Sequence, residues 1–92
     1  MKTSVMRLLR FKFGISASEL SRAAGVSQQY IAGLELGYNA GRYDFRRRGE
    51  PMMLKAFEQI AAERKEQARR LSEDISKYRG RLLDFVEGNY EL

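Results

Sequence analysis

Residues 17–36 read ASELSRAAGVSQQYIAGLEL, two short helical patterns separated by one glycine, and few folds accommodate such a stretch. Ser16 stands three residues before Glu19, a capping-box spacing that starts a helix at Ala17. Gly25 ends that helix, because the tight turn after Ala24 needs a left-handed backbone that glycine adopts without steric cost. Ser27 caps the next helix, which runs from Gln28 to about Leu36 and closes on Gly37. Leu20 and Ala24 fall on the buried side of the earlier helix, Ser21 is small where the pair must approach, and Val26 plugs the turn. Ile31 and Leu34 turn the later helix inward. Two helices joined by so short a turn cross at a steep angle. The crossing leaves Gln28, Gln29, Ala32 and Gly33 on an open face, with Tyr30 at its rim.

The flanking segments follow from the same rules. Val5, Leu8 and Leu9 form an apolar stripe at helical spacing, with Phe13 one turn on, so a helix is expected from Ser4 to Phe13, ended by Gly14. Residues 37–50, GYNAGRYDFRRRGE, read as a loop that Tyr38, Tyr43 and Phe45 pin to the core. Pro51 suits the first position of a further helix. From there to Glu87 the only interior glycine is Gly80, and one continuous helix is the simplest expectation. Its apolar residues recur every three or four positions: Leu54, Phe57, Ala61, Ala68, Leu71, Ile75, Tyr78, Leu82 and Phe85, with Arg64 the one charged member of the series. A sustained period near 3.5 is the seam of a coiled coil. Such a helix would span ~55 Å, more than a three-helix core covers. Leu71, Ile75, Tyr78, Leu82 and Phe85 are therefore expected to pair with a second copy of the chain. The alternative is a hairpin folded at Gly80, which would bury the stripe within one chain.

Composition removes several classes of function. The 92 residues include no Cys and no His. Disulfides and thiolate metal sites are excluded, which fits a cytoplasmic location, and the commonest general base is missing. The carboxylates are dispersed along helices among Lys and Arg, so no catalytic centre, metal site or cofactor is expected, and the chain does not read as an enzyme. No apolar run approaches the ~20 residues of a membrane span. The opening MKTSVMRLLRFKF has arginines inside its apolar stretch and does not read as a signal peptide. Residues 1–49 hold nine Lys/Arg against three Asp/Glu, whereas residues 50–92 hold eight against nine. Positive charge gathered in one half attracts phosphate polymers and anionic membranes alike. The first helix is better used as core than as a membrane anchor.

The stretch Leu9 to Gly37, above all AAGVSQQYIAGLELG, resembles the phage-repressor/Cro type of helix-turn-helix protein, often called the XRE family. A weaker likeness extends through LKAFEQIA to Ile60. The resemblance implies an all-α fold of four or five helices, with residues 1–62 as the DNA-binding domain and 63–92 as a helical dimerisation extension. It also implies a transcriptional regulator that binds double-stranded DNA as a homodimer, with the helix 28–36 in the major groove. Ser16, Ser27, Gln28, Gln29, Tyr30 and Gly33 would then face DNA, with Arg42, Arg46, Arg47 and Arg48 on phosphates. Ala17 and Gly33 stand where the family often carries a phosphate contact and a further base-reading side chain, so no relative's operator transfers. The chemistry agrees: Gln can pair bidentately with adenine N6 and N7, and amides at a helix start favour phosphate. Lys2, Arg7, Arg10 and Lys12 are further candidates for neutralising phosphate. Glu35 is expected to pair internally with an arginine. Arg46–Arg48 can equally be a solvated run. A protein-interaction module, such as an antitoxin or a heterodimerising antagonist, is the competing reading. So short a chain offers no obvious room for a small-molecule effector domain.

Overall fold

The computed structural model describes residues 2–37 and 43–87, the side chains of 43–46 excepted. The described elements are, in order, strand β1 (Lys2–Ser4), helices α1 (Val5–Phe13), α2 (Ala17–Ala24), α3 (Gln28–Leu36), α4 (Tyr43–Glu63) and α5 (Ala68–Lys77), and strand β2 (Phe85–Glu87). Helices α1, α2 and α3 share one construction. A serine precedes each, and its Oγ accepts the backbone N–H three residues on: Ser4 from Arg7 at 3.4 Å, Ser16 from Glu19 at 2.9 Å, Ser27 from Tyr30 at 3.1 Å. Each bond takes up one of the amides that a helix's first turn leaves unpaired. Gly14, Gly25 and Gly37 follow the three helices in the left-handed conformation. The turn at Gly25 is closed further by Ser21. Its carbonyl accepts from the N–H of Gly25 at 2.9 Å and of Val26 at 3.2 Å, and its hydroxyl donates to the Val26 carbonyl. Ser21 is thus a staple as well as a small residue.

A single core unites all five helices. Leu9 and Phe13 of α1, Leu20 of α2, Ile31 and Leu34 of α3, Met53 and Phe57 of α4, and Leu71 and Ile75 of α5 are all buried in it. The architecture is all-α apart from one small sheet. In that sheet β1 and β2 pair antiparallel, with Lys2 opposite Glu87, Thr3 opposite Val86 and Ser4 opposite Phe85. The pairing continues into the start of α1, where Val5 N–H bonds Asp84 O and Met6 N–H bonds Leu82 O, each at 2.9 Å.

Two expectations fail in the second half. The segment read as a loop before Pro51 is helical from Tyr43, and Pro51 lies inside α4. Proline cannot donate to the carbonyl four residues back, at a cost of ~3 kcal/mol within a helix. Contacts just upstream offset that cost. Gly49 is buried against α3, and a Cβ there would stand 2.8 Å from Leu34 Cδ2 and 3.3 Å from Leu83 Cδ1, so glycine is what allows α4 to come so near. Glu50 Oε1 accepts the Leu82 N–H at 2.7 Å, while Oε2 is buried without a hydrogen-bond partner. Burial pushes the Glu50 carboxyl above its ordinary pKa. The backbone amides of Leu82, Leu83 and Gly80 pull it down, and the Asp84 charge adds to the rise. Tyr38 and Arg42, together with the side chains of Tyr43, Phe45 and Arg46, lie outside the described residues.

The expected helix from Pro51 to Glu87 is also broken. α4 ends at Glu63, residues 64–67 turn, and α5 folds back along α4, bringing Arg79 within 4.0 Å of Glu58. The break falls at Arg64, the charged member of the apolar series. Its guanidinium donates to the Phe13 carbonyl, to Gly14 O at 3.4 Å, to Gln67 Oε1 at 2.7 Å and to Glu19 Oε1 at 2.7 Å. Its own N–H bonds Ala61 O at 3.2 Å, a tighter turn than the α-helical pattern. Gly80 belongs to a second turn, between α5 and β2, where it has a φ of +79°. Leu71, Ile75 and Leu82 sink into the core, Tyr78 packs against it, and Phe85 stays 45% exposed on β2. Residues 63–87 therefore complete the core that 1–62 begins, and Leu71, Ile75 and Leu82 of the stripe expected to form a dimer seam are buried within one chain. The longest dimension is 37 Å, which leaves no room for a ~55 Å rod.

Candidate nucleic-acid interface

Helix α3 has two unlike sides. Ile31, Leu34 and Glu35 are buried, whereas Gln28, Gln29, Tyr30, Ala32 and Leu36 are exposed and Gly33 is half-exposed. Ser27, at its start, is exposed as well, and its hydroxyl is occupied in capping. The exposed side begins with two amide side chains at the helix N-terminus, where free N–H groups and the helix dipole favour a negatively charged neighbour. Nothing stands within 4 Å of where a Gly33 Cβ would lie, so that stretch of α3 offers bare backbone.

α3 is held in its orientation by a buried ion pair. Arg10 Nε donates to Glu35 Oε2 at 2.9 Å and Arg10 Nη2 to Glu35 Oε1 at 2.7 Å, a two-pronged contact between α1 and α3. Arg10 Nη1 also donates to Ile15 O at 3.1 Å. The side chains are 13% and 6% exposed, so the pair is largely withdrawn from water. Glu35 thus meets the arginine expected for it, and Arg10 is committed to the fold instead of to phosphate. Lys12 is withdrawn in the same way by Asp74 of α5, at 2.6 Å. Glu19 departs from the reciprocal half of the capping box. Its backbone N–H donates to Ser16, but its carboxylate pairs with Arg64 at 2.7 Å.

Several cations and polar groups remain at the surface. Ser16 is exposed at the start of α2, and Arg47 and Arg48 are exposed on the early part of α4, a helix and not the expected loop. Arg22, absent from the sequence-based set, is exposed on α2 one helical turn beyond Ser18 and lines a cavity together with Ser16. Its signal was available: Ser18 and Arg22 stand on either side of the buried Leu20 at a four-residue spacing, which puts both on the outer face of α2. Among the described residues no helix is long and apolar enough to cross a membrane. The stripe residues Leu71, Ile75 and Leu82 lie in the core, away from this surface.

Residues 5–40 match a family model described as helix-turn-helix. No curated protein and no solved structure matches the chain.

Proposed function

We propose that this chain, whose residues 5–40 match a family model described as helix-turn-helix, is a sequence-specific transcriptional regulator that reads the major groove of double-stranded DNA with α3. The observation that carries the reading is the division of α3 into a buried edge of Ile31, Leu34 and Glu35 and an open edge that starts with Gln28 and Gln29. The two amides read base edges, and Ser16, Ser27 and Tyr30 lie along the adjoining backbone. Arg47 and Arg48, with Arg22 as an addition, neutralise phosphates, as do Arg42 and Arg46. Gly33 adds no side-chain contact and lets the DNA come close to the helix.

Pairing on DNA is assigned to a different surface from the apolar stripe. The Phe85 ring packs over Gly37, and Leu36, the last residue of α3, is exposed as well, so two exposed apolar side chains stand at the end of the reading helix. That area is small beside the ~1,200–2,000 Å² of stable interfaces. Two copies therefore meet on a twofold-symmetric site about one DNA turn long (~34 Å) and separate in free solution.

Selection from random duplexes tests the reading. The expected result is an enriched palindrome whose preference relaxes in Gln28→Ala and Gln29→Ala, each bidentate contact being worth ~1–3 kcal/mol of discrimination. Arg48→Ala should weaken binding to all sequences alike. Unchanged selectivity in both glutamine variants would sink the assignment of α3.

A further inference from the structure

A cavity of about 350 Å³ opens between α1 and α5, formed by elements other than the reading helix. Its size is at the lower end of the ~300–1,000 Å³ typical of small-molecule sites. Leu8 and Leu9 of α1 supply its aliphatic lining and Tyr78 its aromatic lining. Leu8 is 7% exposed yet stands outside the cluster that makes the main core, and it faces this cavity instead.

The polar lining is unbalanced. Asp74 is held by Lys12 at 2.6 Å, and among the described residues neither Arg70 nor Lys77 makes an ion pair. Arg70 makes no ion pair among the described residues, because the acid one turn along α5 is the one Lys12 holds. The Lys77 ammonium rests 5.3 Å from the centre of the Tyr78 ring, a weak interaction at an exposed site and one easily exchanged for an anion. Arg70 and Lys77 lie two turns apart on one face of α5, ~10 Å along its axis, and both line the cavity. Aliphatic and aromatic lining beside two exposed cations with no ion pair among the described residues describes a receptor for one anionic head on a short apolar body.

We propose that the cavity between α1 and α5 binds a small amphipathic carboxylate, its head between Arg70 and Lys77 and its hydrocarbon over Leu8, Leu9 and Tyr78. The cavity is built into the helical core itself, so no separate sensor domain is needed. The proposal does not rest on DNA reading, and Gln28→Ala/Gln29→Ala should bind the same ligand unchanged.

Octanoate is the probe, titrated into the full chain and followed by amide chemical shifts. Saturable one-to-one binding is expected with a Kd of about 1 mM or tighter, as befits so few atoms. The shifts should centre on Leu8, Lys12, Asp74 and Tyr78. Octylammonium and 1-octanol, of equal chain length, should bind at least tenfold more weakly. The exposed double change Arg70→Gln/Lys77→Gln should cost octanoate at least tenfold in affinity and leave the amide spectrum of the free protein folded. Equal binding of the three head groups, retention of octanoate affinity in the double variant, or no saturable response at 10 mM octanoate (roughly tenfold above the expected Kd) would each overturn the proposal.

Discussion

Replacing Glu35 by leucine removes the acceptor of two charge-assisted hydrogen bonds, 2.7 and 2.9 Å long, and leaves the Arg10 guanidinium in a site where its side chain is 13% exposed. Removing one partner of a buried ion pair costs roughly 3–5 kcal/mol, most of it the desolvation of the charge left behind. Arg10 retains the Ile15 carbonyl at 3.1 Å and some access to water. The expected loss is therefore at the low end, about 3 kcal/mol. For a domain of this size each kcal/mol moves the melting temperature by ~4–8 °C, so the variant should melt roughly 12–24 °C below the parent. Arg10→Met strands Glu35, the more buried partner at 6% exposure, and should cost at least as much. The double variant Arg10→Met/Glu35→Leu strands no charge and fills similar volume, so it should return to within about 1 kcal/mol of the parent. Urea denaturation of the four proteins, followed by circular dichroism, gives the coupling directly. The reasoning fails if Glu35→Leu alone stays within about 1 kcal/mol, or if the double variant loses the sum of the two single losses.

Gly49→Ala sets a gain of ~1 kcal/mol in helix propensity against overpacking of ~1–3 kcal/mol where the new methyl meets Leu34 and Leu83. A lower urea midpoint is expected, whereas Gly33→Ala, with open space around it, should raise the midpoint; the opposite ordering would contradict the close packing of α4 on α3. The raised pKa of Glu50 means that the folded state holds this proton more tightly than the unfolded chain does, whose value is near 4.5. Relative to Glu50→Gln, the parent should therefore gain stability as pH falls through the raised folded-state pKa toward 4.5 and lose it as pH rises again; parallel urea midpoints across pH 4.5–7 would refute this. Arg64→Ala releases the carbonyls at the end of α1 together with Glu19, and should cost about 2 kcal/mol in urea denaturation with little change in m. A cost below about 0.5 kcal/mol would mean that the turn at 64–67 holds without it.

Residues 4–37 were legible because their signals act within a turn of where they stand. A serine hydroxyl three residues from an amide, a glycine at a left-handed position and an apolar residue every third or fourth place each bias the backbone locally. The bounds of α2 and α3, and the exposure of Gln28 and Gln29, follow from those biases alone. The same reasoning could not say which cations are free. Arg10 and Lys12 find their carboxylates 25 and 62 residues away, and only the folded chain brings them together.

The second half shows the limit more sharply. Proline and glycine normally mark the edge of a helix, and residues 49–51 carry both. α4 runs through them because Gly49 seats against Leu34 and Leu83 and because Glu50 captures an amide 32 residues further on. The apolar series from Leu54 to Phe85 specified that one face must be dry, but not what would cover it. A continuous helix and a folded one can bury most of the same residues, Phe85 being the one left exposed here, and local propensity differs little between them. Arg64 was the visible sign, the one charge in the series. Its partners at Phe13, Gly14 and Glu19 lie 45 to 51 residues away in sequence, beyond anything a periodicity reports. A propensity sums small terms over near neighbours, and contacts closed across such distances outweigh it once the loop entropy of closing them has been met by the core as a whole.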